Sequence, residues 1–252
     1  MARTVNEADY AAKRDDILDA AQQLIAAKGF DDMTIQDLLH DLGVSKGALY
    51  HYFDSKQAIL NALIDRILQQ VEQLLVPLVH DTKVSAVDKL QQFFAALVQW
   101  KTGHKPFSLA LLRMWYTDEN ALLRQKLRET RIKRFSPLLE TILHQGRQEH
   151  TMRVSYPDHA ARVILAVVED LSDTLARELL SQHFTCEDSS YVDNAVAAST
   201  EAVERISGVS PRSLCLVQPE ALRERMTPPS AGQRRRTAGP LSATGRRPKA
   251  GM

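Results

Sequence analysis

Apolar residues recur at helical spacing through most of the chain, and no clear alternating pattern typical of a β-strand appears. The first such segment covers residues 9–28. Its apolar positions follow the i, i+3, i+4, i+7, i+8 spacing of a helix with one buried face: Ile17, Ala20, Ala21, Leu24 and Ile25. Gly29 follows directly and tolerates the left-handed conformation that ends many helices. The pattern therefore predicts an all-α protein that begins with an amphipathic helix.

Two short helices joined by a tight turn are predicted next. Thr34 precedes an apolar segment and Asp37 stands three residues later, which is the arrangement of a capping box at a helix N-terminus. This second helix is expected to run to about Asp41, with Gly43 in the turn that follows. Ser45 is a favourable N-cap for a third helix of only about seven residues.

Longer helices fill the sequence up to residue 206. A fourth helix is expected over residues 55–76, with a length on the order of 30 Å at about 1.5 Å per residue. Pro77 is expected to end or kink it, and Pro137 to bend or split a later helix, because proline lacks the backbone N–H that a helix needs. The further helical patterns cover residues 84–102, 106–116, 119–146, 157–182 and 188–206.

The composition indicates the class of protein. Of 252 residues, 44% are hydrophobic and 25% are charged, which is typical of a soluble globular protein. Cys186 and Cys215 are too few for a disulfide framework, and neither a membrane-spanning apolar run nor the apolar part of a signal peptide appears. We therefore expect a cytoplasmic protein without a membrane partner.

The net charge of +1 conceals an asymmetry along the chain. Residues 227–252 contain six basic side chains and no acidic one, so the other residues together carry about −5. After residue 206, proline, glycine, serine and arginine dominate and large apolar residues become rare, which is typical of disorder. The sequence thus suggests a first domain over residues 1–54, a second over residues 55–206, and a low-complexity basic tail over residues 207–252 that is expected to be disordered.

The second and third helices predict a helix-turn-helix whose two sides differ. One side is apolar and can pack on the first helix: Leu38, Leu42, Val44, Leu49 and Phe53. On its other side, the third helix offers Lys46 and Tyr50 at i, i+4, with Gly47 and His51 beside them. Such a free helix face suits the major groove of DNA, which is about 12 Å wide and admits one helix. The alternative, an ordinary hairpin in a core, has no use for these outward residues together.

The stretch from Thr34 to Lys56 resembles the DNA-binding signature of the TetR family of transcriptional regulators. The matching residues are Thr34, Gly43-Val44-Ser45, Lys46-Gly47, Leu49-Tyr50, Tyr52-Phe53 and Lys56, within a resemblance over roughly residues 13–60. It implies an all-α homodimer with an N-terminal three-helix DNA-binding domain and a C-terminal helical bundle for ligand binding and dimerisation. By position in the motif, the residues implied to contact double-stranded DNA are Thr34, Ser45, Lys46, Gly47, Tyr50, His51 and Lys56.

Aromatic and polar positions in the second domain are candidates for the wall of a ligand pocket. They are Phe93, Trp100, His104, Phe107, Arg113, Trp115, Tyr116 and Glu169. Aromatic residues at helical spacing also fill ordinary hydrophobic cores, and this alternative stays open for each of them. No two histidines stand at the i, i+4 spacing of a helical metal site, and no catalytic nucleophile motif or phosphate-binding glycine loop appears. We therefore expect no cofactor, no metal site and no enzymatic activity.

We interpret the sequence as a homodimeric repressor that leaves its pseudo-palindromic operator when an unidentified small molecule binds. Two copies of the third helix would enter major grooves about 34–36 Å apart, or a multiple of that distance. Residues 157–182 and 188–206 of both chains are expected to form the dimer interface as a four-helix bundle. An activator or dual regulator with the same DNA-binding chemistry is an alternative, and a ligand-independent architectural DNA-binding protein is a more distant one.

The basic tail is either a solvated extension without a role or an electrostatic arm that adds sequence-independent affinity for DNA. Truncation after Met226 removes six positive charges per chain. If the arm exists, we expect an unchanged site preference and a slope of log K against log salt that is shallower by up to about five units per chain. The measurement is a titration of operator DNA at several salt concentrations, and an unchanged slope would contradict the arm.

Overall fold

The computed structural model describes residues 7–117, 120–181 and 186–217, and within these ranges the chain forms helices without any β-strand. The helices are α1 (Glu7–Lys28), α2 (Ile35–Leu42), α3 (Lys46–Tyr50), α4 (Lys56–His80), α5 (Ala86–Gly103), α6 (Lys105–Trp115), α7 (Ala121–Gln148), α8 (Pro157–Leu180) and α9 (Cys186–Ser207). The predicted all-α fold, with an N-terminal helix-turn-helix and a C-terminal helical domain, is confirmed.

The predicted caps of α2 are present, whereas α1 begins at Glu7 rather than residue 9 and α3 has five residues rather than about seven. Thr34 Oγ1 accepts a hydrogen bond from the Asp37 N–H at 3.1 Å, and Asp37 Oδ2 accepts from the Thr34 N–H at 2.7 Å, which completes the capping box. Gly43 ends α2 with φ +63°, a conformation that costs glycine little. Lys28, at the end of α1, pairs with Asp37 at 2.5 Å. Hydrogen bonds from Lys28 and Thr34 hold the pKa of Asp37 well below its usual range.

Two hydrophobic cores lie beneath the helices. The N-terminal core contains buried side chains from α1 to α4, among them Leu18, Ile25, Leu38, Leu49 and Ile59. Helix α6 belongs to the same core through Phe107, Leu111 and Met114, each 3% exposed. The second core joins the remainder of α4 with α5, α7, α8 and α9. Helix α6 therefore packs on the N-terminal helices, although it follows α5 in the sequence.

Neither internal proline interrupts its helix. Helix α4 continues past Pro77 to His80, and α7 is one helix from Ala121 to Gln148, so the expected end at Pro77 and the expected split at Pro137 do not occur. Proline removes one intrahelical hydrogen bond, and packing offsets this loss in α7. Buried residues stand on both sides of Pro137: Phe135, Leu139, Ile142 and Leu143.

A segment after α9 packs on the C-terminal core. The carboxylate of the buried Glu204 accepts hydrogen bonds from the backbone N–H groups of Arg212 at 3.0 Å and Leu214 at 2.9 Å. This satisfies a buried charge with backbone donors and fixes the path of the chain. The buried apolar side chains of the segment are Val209, Leu214, Leu216 and Val217.

The same segment is attached to α5 by a second pair of hydrogen bonds. The Gln91 side chain accepts from the Cys215 N–H at 2.7 Å and donates to the Cys215 carbonyl at 2.8 Å. The folded domain therefore reaches Val217, beyond the expected boundary at residue 206. The segment has too few apolar residues to fold alone, but it finds partners on an existing core. Residues 218–252, which include the basic stretch, lie outside the described residues.

Gly208 makes the turn between α9 and this segment. Its φ is +67°, and a Cβ here would lie 2.6 Å from the backbone nitrogen of Arg153 and 2.7 Å from its carbonyl oxygen. Because this backbone cannot rotate away, we expect Gly208→Ala to lower the free energy of unfolding by roughly 1–3 kcal/mol in chemical denaturation. Gly103→Ala is the control, since a Cβ there meets nothing within 4 Å. Equal stability of the two variants would contradict the close approach.

Candidate nucleic-acid interface and ligand cavity

Helix α3 is held in place by few side chains. Ser45 accepts a hydrogen bond from the Ala48 N–H at 3.2 Å and begins the helix, as predicted. Leu49 is the buried residue of α3, and Phe53 follows it into the N-terminal core. Since five residues are too few for a stable helix in water, these contacts keep α3 in its position.

The outer side of α3 presents four of the residues predicted to contact DNA. Lys46, Gly47, Tyr50 and His51 are all exposed, and Lys46 Nζ lies 5.8 Å from the centroid of the Tyr50 ring. A Cβ at Gly47 would meet no atom within 4 Å. This surface, which we call the α3 face, therefore combines a positive charge, a phenol and a place where the backbone lies open to close approach.

The other three predicted contacts stand at helix N-termini. The hydroxyls of Thr34 and Ser45 act as caps of α2 and α3. At the beginning of α4, Lys56 Nζ donates to the Asp31 carbonyl at 3.0 Å and lies 4.4 Å from the centroid of the Phe30 ring. In the free protein these three side chains organise the ends of their helices.

A residue of α1 that the sequence analysis missed supports the α3 face. The Tyr10 ring lies with its centroid 5.8 Å from that of His51 and 4.8 Å from that of Tyr52. It therefore orients the residues that follow α3. Tyr10 precedes Ile17 by seven residues, so an extension of the apolar stripe of α1 toward its N-terminus would have found it.

Helix α4 connects the N-terminal helices with the rest of the molecule through ion pairs near its middle. Arg66 on α4 pairs with Asp19 of α1 at 2.8 Å. Arg134 of α7 pairs with two acidic residues of α4, Asp65 at 2.8 Å and Glu72 at 2.6 Å. A change in the position of α4 therefore alters its ion pairs with α1 and with α7.

A cavity of about 130 Å³ lies among α4, α5, α6, α7 and α8. Its wall is mainly apolar, with aliphatic and phenylalanine side chains from Ile64, Ile67, Leu68, Val71, Leu97, Leu111, Leu112, Leu127, Phe135 and Ala176. The remaining wall residues carry polar atoms and are Trp100, Lys101, Ser108, Trp115, Tyr116, Arg124, Arg131, Ser172 and Asp173. An apolar wall with a few polar groups is the usual make-up of a small-molecule site.

Half of the predicted pocket residues lie at this cavity or beside it. Trp100, Trp115 and Tyr116 line it. Glu169 lines a neighbouring cavity of about 70 Å³ and forms an ion pair with Arg131, which lines both cavities. The sequence pattern thus located one side of the cavity, on α5 and α6.

The other four predicted pocket residues lie elsewhere. Phe93 is buried in the C-terminal core and Phe107 in the N-terminal core. The His104 ring stacks on Trp100 at 4.6 Å between centroids and borders an outer groove. Arg113 is exposed and lines an open surface depression. For Phe93 and Phe107, the position in the fold is that of ordinary core residues.

The polar groups of the cavity wall are partly paired with one another. Tyr116 Oη donates to Asp173 Oδ1 at 2.5 Å, and burial together with this hydrogen bond raises the pKa of Tyr116, so the phenol stays protonated at neutral pH. Arg124 Nη1 donates to the Trp115 carbonyl at 2.6 Å, and its guanidinium lies 5.0 Å from the centroid of the Tyr116 ring. These contacts fix the ends of three side chains at one end of the cavity.

The sequence analysis missed the basic residues of the cavity wall. Arg124, Leu127 and Arg131 follow an i, i+3, i+7 spacing on α7, and all three line the cavity. Arginine at such positions is usually solvated, which is why the pattern alone did not single them out.

Neither a metal-binding cluster nor a membrane-spanning helix occurs in the described ranges. Within them, no group of three or more His, Cys, Asp or Glu side chains is arranged to hold a metal ion. No helix formed by these residues is both long and apolar enough to cross a membrane.

Family models match both parts of the chain. Residues 17–63 match the model of bacterial regulatory proteins of the tetR family, and residues 113–181 match a tetracyclin repressor-like C-terminal domain. The first match contains the helix-turn-helix and the α3 face, and the second contains α7, α8 and six of the nine polar residues of the cavity wall.

Curated relatives are HTH-type transcriptional repressors. KstR2 of Mycolicibacterium smegmatis is 31% identical over 90 residues, or 34% of this chain and 42% of that protein. DhaR of a Mycobacterium species is 24% identical over 90 residues, 36% of this chain and 46% of that protein. The matches thus span less than half the length of these two relatives. NemR of Escherichia coli is 27% identical over 158 residues, 61% of this chain and 79% of that protein.

Solved structures share the fold. A transcriptional regulator from Cytophaga hutchinsonii aligns with a TM-score of 0.55 at 16% identity, over 84% of this chain and 97% of that one. The reduced form of Escherichia coli NemR aligns with a TM-score of 0.53 at 20% identity, over 78% of this chain and 98% of that one. With two family models in the order of their domains and the matching fold, the chain belongs to the TetR family of transcriptional regulators.

Proposed function

We propose that this chain is a homodimeric, sequence-specific repressor that binds operator DNA through α3 and is released by a small molecule. The observation that carries the proposal is the α3 face: a short helix, held from below by Leu49 and Phe53, whose other side is exposed. The names of the relatives DhaR, KstR2 and NemR as transcriptional repressors support it.

In this proposal α3 enters the major groove. Tyr50 offers a hydroxyl donor for base edges and a ring for thymine methyl groups, and Lys46 reaches a phosphate or a guanine. The N-termini of α2 and α4, which Thr34 and Ser55 cap, bind the flanking phosphates, since unpaired N–H groups and the helix dipole favour anions there. Ser45, His51 and Lys56 complete the contact surface. All of these contacts lie on one small surface, so DNA can bind there although residues 1–226 together carry a net negative charge.

The proposed dimer interface is formed by α8 and α9 of both chains. Val163 on α8 is 50% exposed and Tyr191 on α9 is 57% exposed. Ala197 and Ala198 on α9 are exposed as well, and such small residues allow helices to approach closely. Burial of these side chains against a second copy would form a two-fold symmetric dimer, and a pseudo-palindromic operator has the same symmetry.

Release by a ligand is supported by the helices that form the cavity. Leu111 of α6 lines the cavity and is also buried in the N-terminal core. Ile64 of α4 lines the cavity and packs against both cores. A ligand that separates α4 from α6 therefore shifts the support of α3. It releases DNA only if it binds this shifted arrangement more tightly than the DNA-bound one.

The DNA surface is tested by Lys46→Ala and Tyr50→Ala, with an operator selected from random sequence. We expect each variant to weaken operator binding by about 1–3 kcal/mol, roughly 5- to 150-fold in Kd by fluorescence anisotropy. The free energy of unfolding should change by less than about 0.5 kcal/mol, because both side chains are exposed. Lys133→Ala, an exposed charge on α7, is the control and should bind as the wild type does. Wild-type affinity in both α3 variants would refute the orientation of α3.

Gly47→Ala adds a single Cβ atom and distinguishes an effect on DNA binding from an effect on stability. Because a Cβ at this position meets nothing in the free protein, the variant should be as stable as the wild type or more stable by about 0.5–1 kcal/mol, as alanine favours helix. If the groove wall approaches the backbone here, operator affinity should nevertheless fall severalfold. A stabilised variant with full affinity would show that nothing comes close to Gly47 in the complex.

A further inference from the structure

Two buried N–H groups at the cavity have no hydrogen-bond acceptor. They are Nε1 of Trp115 and Nε of Arg131, and both residues line the 130 Å³ cavity. Folded proteins satisfy nearly all buried donors, because an unpaired one has lost its hydration without a replacement. Two unpaired donors at one cavity therefore indicate a place for an acceptor.

The charge of the wall specifies that acceptor further. Three wall residues are basic, Lys101, Arg124 and Arg131, whereas Asp173 is the acidic wall residue and already accepts from Tyr116. Even with Glu169, which pairs with Arg131 from the neighbouring cavity, positive charge exceeds negative charge. A cationic ligand would be repelled, and a ligand with one negative charge would balance the site.

Arg131 is oriented to receive such a group. Its Nη2 donates to Glu169, while its Nε–H has no acceptor, so a second partner can accept from Nε. A charge-assisted hydrogen bond from this N–H to a carboxylate is stronger than a hydrogen bond to a neutral acceptor. Glu169 is thus a positioning residue, which acts on a ligand through Arg131.

The size and the remaining wall limit the rest of the ligand. About 130 Å³ is close to the volume of a cavity of about 150 Å³ that accepts benzene in another protein. Aliphatic side chains such as Ile67, Leu97 and Leu127 line this space together with Trp100. The body of the ligand is therefore compact and apolar, no larger than one ring or a short chain.

We propose that the effector of this chain is a small monocarboxylic acid with a compact apolar body, whose carboxylate accepts hydrogen bonds from Arg131 and Trp115. The inference rests on the proposed function, because it names the ligand class of the cavity through which release is proposed. The binding itself does not depend on DNA and is measured without it.

The test uses the full-length protein and isosteric probes that differ in the acceptor group: benzoate, benzyl alcohol and benzylamine. In isothermal titration calorimetry we expect benzoate to bind at least about tenfold more tightly than benzyl alcohol, and benzylamine not to bind. Equal or tighter binding of benzyl alcohol or benzylamine would overturn the proposal. Hexanoate repeats the comparison with an acyclic body, against hexanol.

Two substitutions assign the carboxylate to its partners. Arg131→Met should abolish the preference for benzoate over benzyl alcohol, and Trp115→Phe, which removes the N–H and keeps an aromatic ring, should weaken benzoate severalfold. Arg128→Met is the matched control on α7, since Arg128 does not line the cavity, and should retain the wild-type preference. An unchanged preference in Arg131→Met would refute the assignment, and thermal unfolding of each variant verifies that it is folded.

Operator binding in the presence of benzoate tests the proposed function and the ligand class separately. Selective benzoate binding by a protein that shows no sequence-selective DNA binding would refute the proposed function and leave the ligand class standing. Selective operator binding without any preference for the acid would do the reverse. Both selective binding events, with release of the operator by benzoate and not by benzyl alcohol, are the outcome that we expect.

Discussion

The short length of α3 is the constraint on which the rest of this molecule depends. Five residues form one turn and a half, which is below the length at which a helix is stable by its own hydrogen bonds. The buried side chains of Leu49 and Phe53 must therefore stabilise α3 from one side. The opposite side of α3 is not needed for packing. The N-terminal core is completed by α6, which contributes Phe107, Leu111 and Met114 although it follows α5 in the chain.

The shared helix α6 also determines how the two parts can communicate. Phe107 and Met114 lie in the N-terminal core, and Trp115 lies in the cavity wall. One rigid helix of eleven residues therefore contacts both the N-terminal core and the cavity. Ion pairs of Arg66 and Arg134 bind α4 to its neighbours on either side, but they are partly exposed and contribute little stability by themselves. Their effect is mainly one of geometry, since they limit the positions that α4 can take.

Local signals predicted the N-terminal part well because each is decided within a few residues. The capping box of Thr34 and Asp37 and the left-handed turn at Gly43 need no tertiary information. Packing decided the cases that the sequence pattern did not resolve: α7 runs through Pro137 because a core holds it. The segment around Leu214 is ordered because Glu204 and Gln91 offer partners from elsewhere in the chain. Composition averaged over 207–252 could not distinguish that segment from the basic stretch behind it.

The cavity shows the same division between local pattern and tertiary context. Aromatic residues on α5 and α6 suggested a pocket, but the pattern could not separate Trp115, which lines the cavity, from Phe107, which is buried in the N-terminal core near the beginning of the same helix. Arg131 resembled a solvated arginine in the sequence. Only the fold places it between Glu169 of α8 and the cavity.

This position of Arg131 gives the proposed ligand class a consequence for regulation. A carboxylate beside Arg131 brings a second negative charge close to Glu169, which belongs to the helix proposed to form the dimer interface. The basic wall residues compensate that charge only if they keep their distances to the ligand, so the bound state favours one arrangement of α7 and α8 over others. A neutral ligand of the same size would fill the cavity without this selection. Charge, rather than volume alone, is therefore the property by which the cavity would discriminate between arrangements of the two domains.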